Sequence, residues 1–355
     1  MDTNIEDAEN QLYTYALQIV TSIALPMVLS NAIKLKVLEV IAEAGPDAQL
    51  SAYEIALRLS ISNHEAPDMI DRMLRLLASY SIVTCIQQDC ESMPVRVYGL
   101  APVARLFIKN EDGVSLGPML ELHQNKLNID TWFKLKESVH EGGIAFEKIH
   151  GMHEYEYLGL NAELNEVFNN AMVETSTIVV KKMLKNYHGF KNIECMVDVG
   201  GGFGTTLSMI VSKYPTIKGI NMDLPHVIQH APLYTGITHV EGDMFDKIPH
   251  ADGILMKWVL HCYDDDRCVK LLKNCYKALQ DGGKVIIVEK ILPFLPDTSS
   301  SVKTGSHLDA IMMTQTPGGK ERTEAQFLAL AKEAGFVGLQ KQCFVCNYWV
   351  MEIYK

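Results

Sequence analysis

Met196-Val197-Asp198-Val199-Gly200-Gly201-Gly202-Phe203-Gly204-Thr205-Thr206 reads as a buried strand, a glycine-rich turn and the start of a helix that runs to about Tyr214. Glycines belong where a backbone passes close to a ligand, because a Cβ would clash and some positions need φ > 0. A helix that follows such a turn aims its free N–H groups at it. The form is that of a ligand cradle, and the identity of the ligand has to come from the rest of the chain.

Downstream, strand and helix patterns alternate. Strands are expected over 196–199, 217–222, 237–241, 253–256 and 284–289, with helices between them, notably Asp264 to Leu279. This predicts a parallel, doubly wound α/β sheet. A helix over 323–334 is then followed by strands at 336–342 and 348–354. The short turn between these two makes them antiparallel. The result is a Rossmann-like seven-stranded sheet closed by a reversed hairpin. A nicotinamide-binding Rossmann domain continues instead with a second βαβ half.

In an open α/β sheet the ligand lies beyond the carboxyl ends of the strands, so the residues there can be read off. They are Gly200, Asp223, Asp243 with Met244, Lys257 with Trp258 leading to His261, and Glu289. Asp223 suits the two hydroxyls of a ribose. Asp243 beside a thioether suits an adenine, although either acid alone reads equally as a loop cap. Two acids repel a phosphate, so the cradle fits an adenosyl ligand without pyrophosphate, and S-adenosylmethionine matches. His261 is the candidate general base, with an ordinary pKa near 6.5. Glu289 on the neighbouring strand and Glu321 at the start of the last long helix are placed to hold its ring. Glu321 also reads as an acid favoured by a helix N-terminus.

Composition narrows the class. The chain has 355 residues, 48% hydrophobic and 21% charged, with a net charge of −11. That length allows two domains, and that charge disfavours a general nucleic-acid binder. The N-terminus is acidic, unlike a secretory signal. The apolar run Leu17 to Ile33 is broken by polar residues and Pro26, so it reads as a helix pair and not a membrane span. Eight cysteines lack framework spacing, which suits reduced thiols in the cytosol. Cys343 and Cys346 lie near the expected C-terminal strand, where residues three apart point to opposite faces, and they lack a second pair for zinc. His226 and His230 lack a third ligand. Asp264-Asp265-Asp266 reads as helix capping, not a magnesium site.

The first hundred residues are helical and then form a hairpin. Leu12, Ala16, Ile19, Val20 and Ile23 share one face, and a second helix is expected from Pro26 to Ala44. Ser51 and Glu54 form a capping box. A helix over 66–80 turns Met69, Met73, Leu76 and Leu77 inward, and strands at 81–87 and 96–100 complete a winged-helix pattern. With no basic stripe, it reads as a dimerisation module and not a DNA reader. Residues 103–190 are mostly helical.

These motifs together resemble the plant S-adenosylmethionine-dependent small-molecule O-methyltransferases of the caffeic acid and catechol type, over nearly the whole chain. The landmarks are Leu25-Pro26-Met27, Asp71 to Leu77, Val197 to Gly202, Lys218 to His226, Gly242 to Phe245, Met256 to Trp258 with His261, and Pro317 to Thr323. The resemblance implies a cytoplasmic homodimer with three parts. These are a winged-helix-like dimerisation domain at 1–110, a helical connector lining the acceptor pocket at 111–190, and a methyltransferase domain at 191–355. It implies metal-independent transfer, with S-adenosylhomocysteine as product and no nucleic-acid or membrane partner. Cofactor contacts carried over are Gly200, Asp223, Asp243, Met244 and Lys257, and the catalytic group is His261 with Glu289 and Glu321. The acceptor pocket draws on Met27, Phe168, Met172, Trp258, Leu308, Ile311 and Met312. Several pocket positions depart from the caffeic-acid pattern: His123 for Asn, Leu158 for His, Leu164 for Phe, Cys262-Tyr263 for Asp-Trp, and Thr316 for Asn. Phe203 replaces a small or polar residue in the glycine turn. The expected acceptor is accordingly a catechol-type phenol: a benzylisoquinoline alkaloid, a lignan or a phenylpropanoid. The rival readings are a nicotinamide oxidoreductase and a winged-helix binding protein that keeps a cofactor fold.

Overall fold

Helical periodicity dominates the first third of the computed structural model, which describes residues 2–89 and 93–355, with side chains from residue 7 onward. The chain parts into two units, residues 1–125 and 126–355.

In the first unit, α1 (Asp2–Val20) is followed by α2 (Ala24–Lys34) and α3 (Val37–Glu43), two helices in place of the single one expected from Pro26 to Ala44. The break falls at Lys36, whose φ of 61° is left-handed, a conformation that costs a non-glycine residue about 1–2 kcal/mol. The break lets Leu29 and Ala32 of α2 share a core with Val37, Leu38 and Ile41 of α3, and that burial outweighs the strain. Ser51 caps α4 (Ala52–Arg58) through the expected box: Glu54 N–H donates to Ser51 Oγ, and Ser51 N–H to Glu54 Oε2. Helix α5 (Ala66–Ser79) buries Ala66, Ile70, Leu74 and Leu77. Met69, expected to face inward, is 54% exposed, because it lies off that buried stripe. Strands β1 (Leu50–Ser51), β2 (Val83–Gln88) and β3 (Val95–Leu100) form an antiparallel sheet in the order β1-β3-β2. A charged clasp ties this sheet to α5. The Arg96 guanidinium donates to both Asp71 oxygens at 3.0 and 2.7 Å, and Tyr98 OH donates to Asp71 Oδ1 at 2.6 Å. These bonds hold the Asp71 carboxyl below its usual pKa, led by the one from Arg96. Helix α6 (Gly117–Gln124) packs on α2.

Leu12, Tyr13, Tyr15, Ile19, Val20 and Ile23 project from α1 and the turn after it, and all are exposed. No single helix among the described residues is long and apolar enough to cross a membrane. Asp7–Val20 and Ala24–Lys34 reach that length only as a pair bent by 48°, and α2 is partly buried in the core.

The second unit begins with α7 (Lys126–Trp132), α8 (Leu135–Glu141), α9 (Ala145–His150), α10 (Glu154–Leu160) and the long α11 (Ala162–Asn186). It continues through β4 (Cys195–Val199), α12 (Thr205–Lys213), β5 (Lys218–Asp223), α13 (Pro225–Ile228), β6 (Ile237–Glu241), β7 (Ala251–Lys257), α14 (Asp265–Ala278), β8 (Leu279–Glu289), α15 (Ser300–Gln315), α16 (Glu324–Glu333), β9 (Gly338–Val345) and β10 (Tyr348–Tyr354). The seven strands run β6-β5-β4-β7-β8-β10-β9. The first five are parallel, and β10 is antiparallel to both β8 and β9. Both faces are covered, as a parallel sheet requires. Val197, Val199, Ile254, Met256, Val285 and Ile287 pack with residues of α14 and α16. The alternate residues Met196, Leu255, Ile286 and Val288 pack with residues of α11 and α12. This winding places the carboxyl ends of β4, β5, β6, β7 and β8 along one edge. The seven described cysteines are free thiols, Cys343 and Cys346 among them; Cys90 lies outside the described residues.

Candidate active site

Gly200, Gly202 and Gly204 all have positive φ (67°, 60° and 82°), which explains three of the four glycines in the turn after β4. The fourth, Gly201, is there for space. A Cβ would lie 2.1 Å from Asn221 Oδ1 and 2.8 Å from Asp198 Cγ. Asn221 is fully buried on β5 and pins the turn by donating to Gly202 O at 2.9 Å, a role with no signal in the sequence. Asp223 accepts N–H bonds from Gly202 and Leu224, both at 2.7 Å. It therefore shapes the cradle itself, and burial lifts its pKa. Asp243 is exposed and caps its own turn by accepting from Phe245 N–H at 2.8 Å. Met244 packs against the sheet core.

Lys257 Nζ donates to Ser176 Oγ at 2.8 Å and lies 3.5 Å above the Trp258 ring. Burial lowers its pKa to about 8, and burial raises that of Asp198 to about 7, each partly opposed by the other's charge. Among the described residues, Asp198 Oδ2 and Trp258 Nε1 are buried without a hydrogen-bond partner near the ends of adjacent strands. Unmet polar atoms beside a turn held open by glycines fit a polar adenosyl ligand better than a packed core.

Past β7 the chain turns sharply at Trp258, whose φ is 58°, and Glu289 holds that turn. Its Oε1 accepts from the N–H groups of Val259 and Leu260 at 2.9 Å and His261 at 3.4 Å. The His261 ring is nearly buried, with Nδ1 2.9 Å from Glu321 Oε1 and 3.8 Å from Glu289 Oε2. With a carboxylate as partner, Nδ1 carries the hydrogen and Nε2 is left to accept. Burial disfavours the imidazolium, but Glu289, Cys262 and the Glu321 bond outweigh it and hold the imidazole pKa well above its usual value. Burial lifts the pKa of Glu289, opposed by His261. These three residues are also the one set among the described residues able to offer three ligand atoms to an ion, all within 4.8 Å.

Two supports escaped sequence reasoning. Asp309 on α15 accepts Glu321 N–H at 2.8 Å and so fixes the backbone of Glu321. Arg322 is fully buried and donates to Asp265 Oδ1, Leu260 O and Tyr263 O. Of the acidic run, Asp264 caps α14 and Asp265 serves this clasp and Lys320.

The acceptor candidates divide. Leu164, Phe168 and Met172 form one stripe of α11, at i, i+4 and i+8. Leu158 is buried on α10 and Cys262 beside His261. Leu308, Ile311 and Met312 are half-buried on α15, and Thr316 spends its hydroxyl on Met312 O. Tyr155, absent from the sequence reading, joins these elements: its hydroxyl lies 2.9 Å from Cys262 Sγ and its ring meets Phe168 edge-on. Met27 and His123 lie in the first unit, Met27 exposed on α2 and His123 half-buried on α6. Phe203 is half-buried in the glycine turn, with no evident reason in its surroundings.

Comparison with known proteins agrees with this arrangement. The O-methyltransferase domain family matches residues 132–337, and the O-methyltransferase dimerisation domain matches 17–110. Catechol O-methyltransferase 1 of Solanum lycopersicum is 50% identical, over 99% of this chain and 97% of the relative. O-methyltransferase 11 of Lophophora williamsii is 54% identical over 98% and 91%. Caffeic acid 3-O-methyltransferase of Medicago sativa is 50% identical over 99% and 96%. Human N-acetylserotonin methyltransferase in complex with SAM shares the fold, with a TM-score of 0.78 over 97% of this chain and 98% of that one at 22% identity. So does CalO1, a methyltransferase in calicheamicin biosynthesis, in its SAH-bound form, with a TM-score of 0.79 over 98% of each chain at 20% identity. A glycine cradle backed by two acids, a histidine held by two glutamates, and full-length similarity at half identity lead to one conclusion: the chain belongs to the S-adenosylmethionine-dependent O-methyltransferase family of the plant caffeic acid and catechol type.

Proposed function

We propose that the chain transfers the methyl group of S-adenosylmethionine to a hydroxyl of a phenolic, catechol-type specialised metabolite, with His261 as general base. The carrying observation is the 2.9 Å bond from His261 Nδ1 to Glu321, which leaves Nε2 free for a phenol. S-adenosylmethionine supplies an electrophilic methyl group on a sulfonium. Gly200, Asp223, Asp243, Met244 and Lys257 would hold it, with Asp223 suited to the ribose hydroxyls. The phenol hydroxyl donates to Nε2, and its proton passes to the imidazole as the oxygen attacks. Glu289 and Glu321 keep the ring oriented and offset its charge. Much of the rate comes from alignment in a pocket that excludes water, lined by Leu158, Leu164, Phe168, Met172, Trp258, Cys262, Leu308, Ile311, Met312 and Thr316.

The reading assigns 1–110 to dimerisation, 111–190 to the acceptor-lining connector and 191–355 to catalysis. The family's dimerisation domain and the uncovered apolar side chains along α1 support a homodimer. A cytoplasmic location follows from the same reading. Glu289 Oε1 is taken up by backbone N–H groups and Glu321 Oε1 by the His261 ring, which supports a positioning role and transfer without a metal, although Glu289 Oε2 and Glu321 Oε2 have no hydrogen-bond partner among the described residues; turnover that EDTA abolishes and Mg²⁺ restores would contradict it.

The test is a screen of purified protein with labelled S-adenosylmethionine against hydroxycinnamates, flavonoids, lignans and alkaloids. Label should pass to at least one catechol. Binding of NAD in place of S-adenosylmethionine would favour the oxidoreductase reading.

The base also sets a pH signature. His261 works only when neutral, and its pKa is raised. Its neutral fraction therefore grows as pH rises through the folded value, and kcat/KM should climb on the alkaline side of the ordinary imidazole range. Glu321→Gln removes a charge that favours the imidazolium, so the rising limb should move to lower pH. Lost orientation should lower the plateau by about ten- to a hundredfold. A limb that stays in place would detach Glu321 from the base.

A further inference from the structure

Glu154, the first residue of α10, is 4% exposed. Among the described residues nothing hydrogen-bonds its carboxyl, and no lysine or arginine acts on it; burial alone raises its pKa, to about 7. Burying a carboxyl without a partner is costly, and such groups call for an explanation. Its position supplies one. Leu158, one turn on, is buried on the same face of α10. Tyr155, the next residue, places its hydroxyl 2.9 Å from the thiol of Cys262 and its ring against Phe168, and Cys262 directly follows the base. Besides burial, the charge of Glu154 raises the pKa of that tyrosine hydroxyl, together with Cys262. Glu154 therefore stands in the wall that carries Tyr155, Leu158, Phe168 and Cys262, and it is the one acid there that is not already bonded to a neighbour.

We propose that Glu154 is an ammonium-binding subsite of the acceptor pocket, so that the preferred acceptors are phenols carrying a protonated amine on a short tether. This rests on the phenol-methylating function proposed above. A cation entering the pocket gives the carboxylate the partner that the protein withholds, and the low-dielectric surroundings strengthen that pair. The same charge repels a carboxylate tail, which disfavours acceptors of the caffeate type. The neutral residues Leu158, Cys262 and Thr316 then shape the pocket, and Glu154 decides the charge it accepts.

Three catechols of similar size test this with the full chain and S-adenosylmethionine: dopamine, 4-ethylcatechol, and 3,4-dihydroxyhydrocinnamate, whose tails are cationic, neutral and anionic. For the wild type, kcat/KM should be at least about tenfold higher for dopamine than for 4-ethylcatechol, and lowest for the acid. In Glu154→Gln the ratio of dopamine to 4-ethylcatechol should fall about tenfold or more, mainly through KM, and Glu154→Asp should retain part of it. Cofactor affinity, measured on each variant by calorimetry, reports whether the site is folded. Equal wild-type rates on dopamine and 4-ethylcatechol, or a ratio unmoved in a Glu154→Gln that still binds cofactor, would overturn the subsite and leave phenol methylation standing. Wild-type protein that binds cofactor but methylates no phenol would overturn both.

Discussion

His261→Ala is expected to lower kcat on a phenolic acceptor by about 10²–10⁴-fold, the usual range for a positioned acid–base group. Affinity for S-adenosylmethionine should change only a few-fold, because the cradle of Gly200 to Gly204 and Asp223 is held by Asn221 and by backbone bonds that do not involve the imidazole. A phenol with a pKa near 10 is mostly protonated at neutral pH, so without Nε2 the reaction falls back on the small phenolate fraction. The loss should therefore shrink at high pH and for acceptors with acidic, nitro-substituted rings. Calorimetry for binding and a labelled-methyl assay for turnover separate the two effects. Near-normal turnover in the alanine variant would remove His261 from its role as base.

Arg322→Leu should cost about 3–5 kcal/mol of stability, the range for losing one partner of a buried charged network. The guanidinium is fully buried. It donates to Asp265 Oδ1 at 3.0 and 2.8 Å and to Leu260 O and Tyr263 O, both at 2.7 Å. Leucine fills much of the volume but takes from those buried carbonyls their shortest and only charged donor, leaving the weak Cys268 thiol contacts. Because the carbonyls flank His261, turnover should fall as well, and more steeply than cofactor binding. Arg322→Lys should rescue little, since one ammonium does not reproduce a planar fork of five donors. Urea denaturation measures the first effect; a loss below about 1 kcal/mol would mean that the clasp is not needed.

What the sequence disclosed and what it hid follow from distance along the chain. The order of strands, the reversed hairpin and the acids at the strand ends depend on local periodicity and on one topological rule, so Asp223, His261 and Glu289 could be named before any coordinates. The break at Lys36 carries no glycine or proline signal; packing alone imposes it. The α5 stripe runs through Ala66, Ile70, Leu74 and Leu77, which keeps Leu77 inside and puts Met69 in solvent. Arg322 reads in sequence as a surface base, and its burial depends on carbonyls some sixty residues away. The link from Tyr155 to Cys262 spans 107 residues. Glu154 looks like any acid at a helix start until its burial is known.

Oε1 of Glu289 addresses three consecutive peptide groups, while its Oε2 lies 3.8 Å from the His261 ring. That makes the mounting of His261 indifferent to what the neighbouring residues are, as long as their backbone keeps its path. Cys262 and Tyr263 occupy ground where aspartate and tryptophan are usual, yet the mount can tolerate such exchanges without displacing the imidazole. The fold thereby separates an inherited reaction from a negotiable clientele: acceptor preference can drift by single substitutions around a chemical step that never has to be reinvented.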